Sequence, residues 1–167
     1  MCYNLIMKKL IISLILIFLL SGCEIGVYNL EFFTLPDDSE FMQVVESLNT
    51  PDKICCYIKD NFTPMVFNEA VFDPYTMWQV KSGDCNDYST FAIFCAAYHG
   101  YEVYQILLIF PEGSHMIAVY KVDEGYLFSD LCYLQEEIYN SFGEIMKVRG
   151  CDNYRIYDYD MNLITSQ

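Results

Sequence analysis

The sequence predicts an α+β domain, in which helices come first and an antiparallel sheet follows. A segment with strong helical spacing begins at residue 85 and stops before Gly100. Downstream, residues 115–122 and 126–130 are strand-like segments on either side of a short turn, as in a hairpin. Helices that precede strands, instead of alternating with them, are typical of an α+β fold. The 167 residues are enough for one domain.

Two helices and a loop are predicted ahead of the central helix. The first helix spans 39–48, with Ser39 as its capping residue and apolar side chains at helical spacing. Thr50-Pro51 begins the second helix, which runs to about residue 60, because proline is favoured at the first helical position. Residues 61–77 are rich in Pro, Asn and Asp, and we expect a long loop there.

The central helix opens with a cysteine in an acidic turn. Its apolar stripe consists of Tyr88, Phe91, Ala92, Cys95 and Tyr98. Cys85 lies three residues earlier on the same face, and Gly100 is expected just beyond the C-cap. Free N–H groups and the helix dipole stabilise a thiolate at such a position, so Cys85 is a candidate nucleophile. Asp84 and Asp87 oppose a thiolate, unless they accept backbone N–H groups or a protonated His115 sustains it.

The second half of the chain predicts mainly strands. Residues 101–110 have the apolar character of a central strand, and 115–122 with 126–130 form the hairpin. Residues 131–150 are predicted to be helical, and 154–160 to form a final strand.

The N-terminus predicts a secretion signal that is not part of the domain. Two lysines precede an apolar run over 10–20, which is too short to span a bilayer, since a spanning helix needs about 20 residues. The run ends in Leu-Ser-Gly-Cys at 20–23, which resembles a bacterial lipobox. That resemblance implies cleavage before Cys23 and a lipid on Cys23. We expect Met7 to be the true start.

The expected organisation has three parts: a signal peptide over 1–22, a lipidated cysteine and tether over 23–38, and one domain over 39–167. Removal of the signal lowers Lys+Arg from 9 to 7 and keeps all 23 acidic residues, which gives a formal charge of −16. So acidic a surface argues against a nucleic-acid partner. Membrane contact is expected only through the lipid at Cys23, at the cell envelope and facing the periplasm or exterior.

The chain offers few side chains that could assist a nucleophilic cysteine. His99 ends the same helix, about 20 Å from Cys85, so it cannot be the base. His115 opens a strand of the predicted sheet and is the remaining candidate, with Asp130 on the next strand to orient it. With two histidines and no CxxC spacing, we expect no metal site, and nothing in the sequence indicates a cofactor.

The register of the hairpin tests this pairing, because opposite residues in an antiparallel hairpin share a face. An odd-length loop 123–125 places Asp130 opposite Ala118, on the other face from His115. A four-residue loop 122–125 gives opposite residues whose numbers sum to 247, which places Asp130 opposite Ile117, beside His115. A triad therefore requires an even-length loop or a bulge, and the sequence leaves the register open.

The ordered set of residues resembles the transglutaminase-like superfamily of papain-fold cysteine enzymes. The match covers about residues 75–132 and consists of Gly83, Asp84, Cys85, Asp87, Gly100, His115 and Asp130. The resemblance implies a papain-type core in which the nucleophile helix packs on an antiparallel sheet. It also implies Cys85 as nucleophile, His115 as general base and then acid, and Asp130 as orienter. The family's aromatic residue after the histidine is Met116 here, which puts substrate contacts beside the base in doubt.

An oxyanion also needs N–H donors. The resemblance implies the backbone N–H of Cys85 as one donor, and either Gln79 or Trp78 as the other. Gln79 stands six residues before the cysteine, and Trp78 matches a tryptophan upstream of the cysteine in many members of the superfamily. The sequence does not choose between them.

The expected function is that of a lipid-anchored cysteine hydrolase or acyltransferase that acts on peptide, protein or peptidoglycan stem amides through a thioester. One alternative is an NlpC/P60-type endopeptidase, although that family normally has a second histidine and none follows His115. Another alternative is an envelope lipoprotein that keeps the fold for binding without catalysis. The fold alone does not fix a substrate.

Overall fold

The computed structural model of the protein describes residues 36–65 and 71–167. The expected signal peptide 1–22, the lipidation site Cys23 and most of the tether 23–38 therefore lie outside the described residues. Five helices occur within the described ranges: α1 Ser39–Ser47, α2 Pro51–Asn61, α3 Pro74–Val80, α4 Cys85–Tyr98 and α5 Phe142–Arg149. None of them is both long and apolar enough to cross a membrane.

Eight strands accompany these helices in the described part of the chain. They are β1 Thr63–Pro64, β2 Ser82–Gly83, β3 Val103–Phe110, β4 Gly113–Val122, β5 Gly125–Asp130, β6 Tyr133–Tyr139, β7 Asn153–Tyr157 and β8 Leu163–Ser166. Strands β3 to β8 form one sheet in the order β6-β5-β4-β3-β7-β8, with every neighbouring pair antiparallel. Strands β1 and β2 make a separate short parallel pair.

Capping side chains define where the first two helices begin. The Asp38 carboxylate, and not Ser39, accepts the N–H groups of Glu40 and Phe41, each at 3.0 Å. Thr50 caps α2 as predicted, since its hydroxyl accepts the Lys53 N–H at 3.3 Å and proline follows it. The predicted boundaries of both helices agree with the structure to within one or two residues.

The hydrophobic core has two parts, one on each face of the sheet. Helix α4 is buried on almost every side and packs with α1, α2 and α3 against one face, where Ala118 and Tyr120 point. The other face carries Ile117 and Val119 and is covered by α5. The α+β class is confirmed, as is the packing of α4 on an antiparallel sheet.

Three sequence predictions about the connecting segments are wrong. The segment 61–77 contains helix α3, whose start is marked by Asp73 as the capping residue and by Pro74 at the first helical position. The segment 131–150 begins with strand β6 before α5, because pairing with β5 overrides the helical preference of its Leu, Gln and Glu residues. The final strand 154–160 is shorter than predicted, and β8 follows it.

The six cysteines within the described ranges are all free thiols. Cys55 and Cys95 are buried, and burial raises the pKa of both, that of Cys55 to about 12. Cys56 is exposed, and Cys85 and Cys132 are partly exposed. The thiols therefore differ widely in accessibility.

Candidate active site

The entrance of helix α4 is a closed network of side-chain and backbone hydrogen bonds. The Asp84 carboxylate accepts the N–H groups of Asn86 at 2.9 Å and Asp87 at 3.4 Å. Asp87 returns the contact, since its Oδ2 accepts the Asp84 N–H at 2.9 Å, which completes a capping box. The second Asp87 oxygen accepts the Phe72 N–H at 2.7 Å. Both carboxylates therefore bind backbone N–H groups. This is one of the two ways in which the sequence allowed an acidic turn beside a thiolate.

Gly83 has a steric role in this entrance. A side-chain carbon at position 83 would lie 2.6 Å from Cβ and 2.9 Å from Oδ2 of Asp87, which is fully buried. Only glycine allows Asp87 to approach the backbone so closely. The Gly-Asp-Cys-Asn-Asp pattern is therefore a packing requirement of the helix start as well as a candidate chemical motif.

The backbone N–H of Cys85 is left over from this capping arrangement. Asn86 and Asp87 donate to Asp84 Oδ1, and Tyr88 donates to the Asp84 carbonyl at 3.0 Å. Within the described part of the chain, the Cys85 N–H donates to no other group. A free N–H at a helix N-terminus, next to a thiol, is a suitable donor to a developing oxyanion.

The register of the β4–β5 hairpin places His115 and Asp130 side by side. The turn has two residues, 123 and 124, and Val122 pairs with Gly125, so opposite residue numbers sum to 247. This is the even-length register. His115 Nε2 donates to Asp130 Oδ1 at 2.6 Å, and both side chains are about a quarter exposed.

His115 also interacts with Cys85. The pKa of His115 is raised to about 9, first by its hydrogen bond to Asp130 and next by the side chain of Cys85, and burial offsets part of this. Because Asp130 occupies Nε2, Nδ1 is the ring nitrogen available to the thiol. The structure therefore brings the three predicted residues together from three separate elements, α4, β4 and β5.

Arg149 is a neighbour of this group that sequence reasoning missed. Its Nη2 donates to Oδ2 of Asp130 at 2.7 Å, so the two carboxylate oxygens have different partners. The pKa of Asp130 is lowered, because His115 and Arg149 together outweigh the effect of burial, the largest single influence. The sequence indicates this residue only in that Arg149 is one of two arginines in an acidic chain.

The two candidate oxyanion side chains make their contacts elsewhere. The Trp78 ring stacks on Tyr75 at 5.9 Å between centroids, and Lys81 Nζ lies 4.1 Å from its centroid. The indole nitrogen is buried and has no hydrogen-bond partner among the described residues. Gln79 is exposed and interacts with Tyr75. Neither Trp78 nor Gln79 hydrogen-bonds Cys85 or His115 in the described structure, and their role as donors stays a prediction.

The second histidine, His99, makes its hydrogen bond away from the candidate site. His99 is the C-cap of α4, and its Nε2 lies 2.9 Å from the Val45 carbonyl oxygen.

Met116, which follows His115, is buried. Among the residues that the structure describes, no group of three or more His, Cys, Asp and Glu side chains is arranged to hold a metal ion.

Comparisons with known proteins give only a partial likeness. No model of a protein family and no curated protein sequence matches the chain. A solved structure of LapG from Legionella pneumophila aligns with a TM-score of 0.48 and 13% identity over 57% of this chain and 64% of that one. The calcium-bound form of LapG gives a TM-score of 0.47 at 13% identity, with the same coverage. The EGTA-treated form gives 0.44 at 14% identity, over 57% of this chain and 62% of that one. The aligned part is thus less than two thirds of each LapG structure.

Proposed function

We propose that the chain is a cysteine hydrolase or acyltransferase that acts on peptide or other amide bonds. Cys85 is the nucleophile, His115 the general base and then acid, and Asp130 the residue that orients His115. The observation that carries this proposal is the 2.6 Å pair between His115 and Asp130, on two adjacent strands, together with the effect of the Cys85 side chain on the His115 pKa. The transglutaminase-like pattern of the sequence supports the same three roles.

The protonation state of His115 supports a thiolate mechanism. A pKa of about 9 means that the ring carries its proton at neutral pH, as an imidazolium between Asp130 and Cys85. In the proposed scheme the reacting form is a thiolate–imidazolium pair, in which the Cys85 sulfur attacks and His115 holds the proton. The charges of Asp84 and Asp87 are directed to backbone N–H groups, which limits their repulsion of the thiolate.

The chemical steps follow from this pair. The Cys85 sulfur attacks the amide carbonyl carbon, and the carbonyl oxygen takes the electron pair as an oxyanion that the Cys85 N–H can bind. The oxyanion collapses, the C–N bond breaks, and His115 gives its proton to the leaving amine. The acyl group remains on sulfur as a thioester. Neutral His115 then takes a proton from water or an amine, which attacks the thioester and releases the thiol.

The proposed setting is the outer face of a bacterial membrane. The lipobox at 20–23 supports a lipid on Cys23, and the domain 39–167 would then act on peptide, protein or peptidoglycan stem amides near the membrane. The mature formal charge of −16 favours neutral or basic substrates over anionic ones. A Cys23→Ala variant tests the anchor, since it should move from the membrane fraction to the soluble fraction. An unchanged membrane fraction would refute lipidation at this residue.

Alkylation kinetics test the nucleophile. Under reducing conditions at pH 7, iodoacetamide should modify Cys85 at least about tenfold faster than an ordinary thiol, because only the thiolate reacts. Exposed Cys56 is a reference thiol in the same molecule, and buried Cys55 and Cys95 should stay unmodified. Peptide mapping by mass spectrometry gives each rate. The His115→Ala variant should lose the fast reaction at Cys85 and keep the Cys56 rate.

The opposite outcome would favour a different class of protein. If Cys85 reacts no faster than Cys56, and His115→Ala leaves its rate unchanged, the thiol is not activated. The chain would then be better described as a binding lipoprotein that retains the fold.

A further inference from the structure

Helix α5 ends at the residue that contacts Asp130. Arg149 is its last residue, and Arg149 Nη2 donates to Asp130 Oδ2 at 2.7 Å. The other oxygen, Oδ1, accepts from His115 at 2.6 Å. The carboxylate is thus held at both oxygens by side chains from two elements, β4 and α5. In a planar carboxylate, fixing one oxygen restricts where the other points.

The position of α5 follows from the face of the sheet on which the His–Asp pair lies. Alternation along β4 places His115 on the side of Ile117 and Val119. That side is the one that α5 covers with the buried residues Ile145 and Met146. The opposite side holds α4, which carries Cys85. His115 is the third residue of β4, near the start of the strand, where its ring interacts with both Asp130 and Cys85. Helix α5 borders Asp130 on the same side.

The anchorage of Arg149 is more than that of a surface ion pair. Gly150, at φ 62°, ends the helix in the left-handed conformation that glycine favours, directly after Arg149. The Arg149 side chain is 27% exposed, and its Nε is buried without a hydrogen-bond partner. The guanidinium is therefore partly removed from solvent, and its contact with Asp130 is the one that fixes its position.

We propose that Arg149 is a positioning residue of the candidate site, which holds the Asp130 carboxylate so that Oδ1 faces His115. This role rests on the proposed function, in which Asp130 orients the base. Arg149 does not touch the substrate or the sulfur in this scheme. It acts only through Asp130, as a fixed donor supplied by a helix from the other side of the sheet.

The alternative role of Arg149, as a charge only, predicts the opposite shift. If Asp130 kept its place without Arg149, His115 would lose a repelling cation near its partner, and its pKa would rise or stay constant. If Arg149 positions Asp130, its removal lets the carboxylate rotate away from the ring. His115 would then lose its strongest stabilising partner, and its pKa would fall.

Titration of His115 by NMR, with labelled imidazole, distinguishes these two roles. The readout does not depend on activity, and the chain has only one other histidine, His99, so a His99→Gln sample assigns the signals. In Arg149→Met, which keeps the side-chain length without the charge, the His115 pKa should fall by about one unit or more. Lys147→Met removes a charge from the same last turn of α5 and should leave the His115 pKa unchanged.

A rise or no change in the His115 pKa in Arg149→Met would overturn the proposal. If that variant does not fold, Arg149→Lys replaces it, because lysine keeps the charge but not the planar guanidinium. It should lower the His115 pKa by less than Met does, and an unchanged value would again overturn the proposal. Slow alkylation of Cys85 in the wild type would refute the catalytic function alone, since the titration of His115 would still report on Arg149.

Discussion

His115 and Asp130 are joined by a 2.6 Å contact between Nε2 and Oδ1, although they lie on different strands. The contact exists because the turn between β4 and β5 has two residues. With one residue more in the loop, the two side chains would lie on opposite faces of the sheet. The orientation of the proposed base therefore depends on the length of one turn.

The His115 ion pair should make stability depend on pH. Asp130 and Cys85 raise the pKa of His115 from 6.5 to about 9 in the folded protein. The resulting stabilisation is complete below the unfolded pKa and is lost as the pH rises through the folded value. It amounts to at most about 3 kcal/mol. Urea unfolding at pH 6 and pH 9.5 measures the loss.

The matched variants for this measurement are the two histidine substitutions. His115→Gln should remove most of the difference between the two pH values, while His99→Gln should keep it. An equal pH dependence in wild type and His115→Gln would show that His115 does not hold its proton more tightly in the folded state.

Replacement of the Asp130 charge should slow the proposed nucleophile. Asp130→Asn keeps the shape of the side chain but removes the charge that stabilises the His115 imidazolium. The pKa of His115 should therefore fall. Alkylation of Cys85 at pH 7 should then slow by about tenfold or more. Asp123→Asn, in the exposed hairpin turn, removes the same charge and should leave the rate unchanged. Equal rates in Asp130→Asn and the wild type would exclude Asp130 from this role.

Asp87 should matter more for folding than its neighbour Asp84. The buried Asp87 carboxylate accepts the N–H groups of Asp84 and Phe72 with different oxygens, so an amide would present a donor to one of them. Asp87→Asn should lower the free energy of unfolding by about 2 kcal/mol. Asp84 accepts both of its N–H groups at Oδ1, so Asp84→Asn should cost less than about 0.5 kcal/mol. Denaturant titration compares the two, and similar losses would contradict this account.

Gly83 should not tolerate a methyl group. A Cβ there would lie 2.6 Å from the Asp87 Cβ, so Gly83→Ala must displace the start of α4. We expect a loss of about 1–3 kcal/mol in the free energy of unfolding. Gly143→Ala is the control, because its nearest contact would be 3.7 Å and the residue is helical. The control should be neutral or stabilising by about 0.5–1 kcal/mol in the same thermal or urea titration. A Gly83→Ala protein as stable as the wild type would show that the close approach is not needed.

Local sequence signals predicted the elements that carry the candidate site. The cap at residues 84–87 and the apolar stripe after Cys85 defined α4, and Gly100 marked its end. His115 is the candidate base because His99 lies at the far end of that helix, where the structure places its ring against the Val45 carbonyl. These signals succeed because caps and periodic apolar positions act within a few residues.

Two elements differ from the prediction, one because of a distant segment and one because a local signal lies within a segment rich in loop-forming residues. Strand β6 has residues that favour a helix, and it became a strand by pairing with β5. Helix α3 was hidden within a segment rich in loop-forming residues, although Asp73-Pro74 carries its start signal. Propensity failed in the first case because strand pairing outweighs a few tenths of a kcal/mol per residue.

By itself, the sequence determined the α+β class, the start and end of the central helix, and the three candidate residues Cys85, His115 and Asp130. The tertiary structure alone decided the hairpin register that joins His115 to Asp130, and it added Arg149 from a later helix. The division has a physical cause. Helix caps and periodic burial depend on neighbours along the chain, while register and ion pairs depend on how whole layers pack.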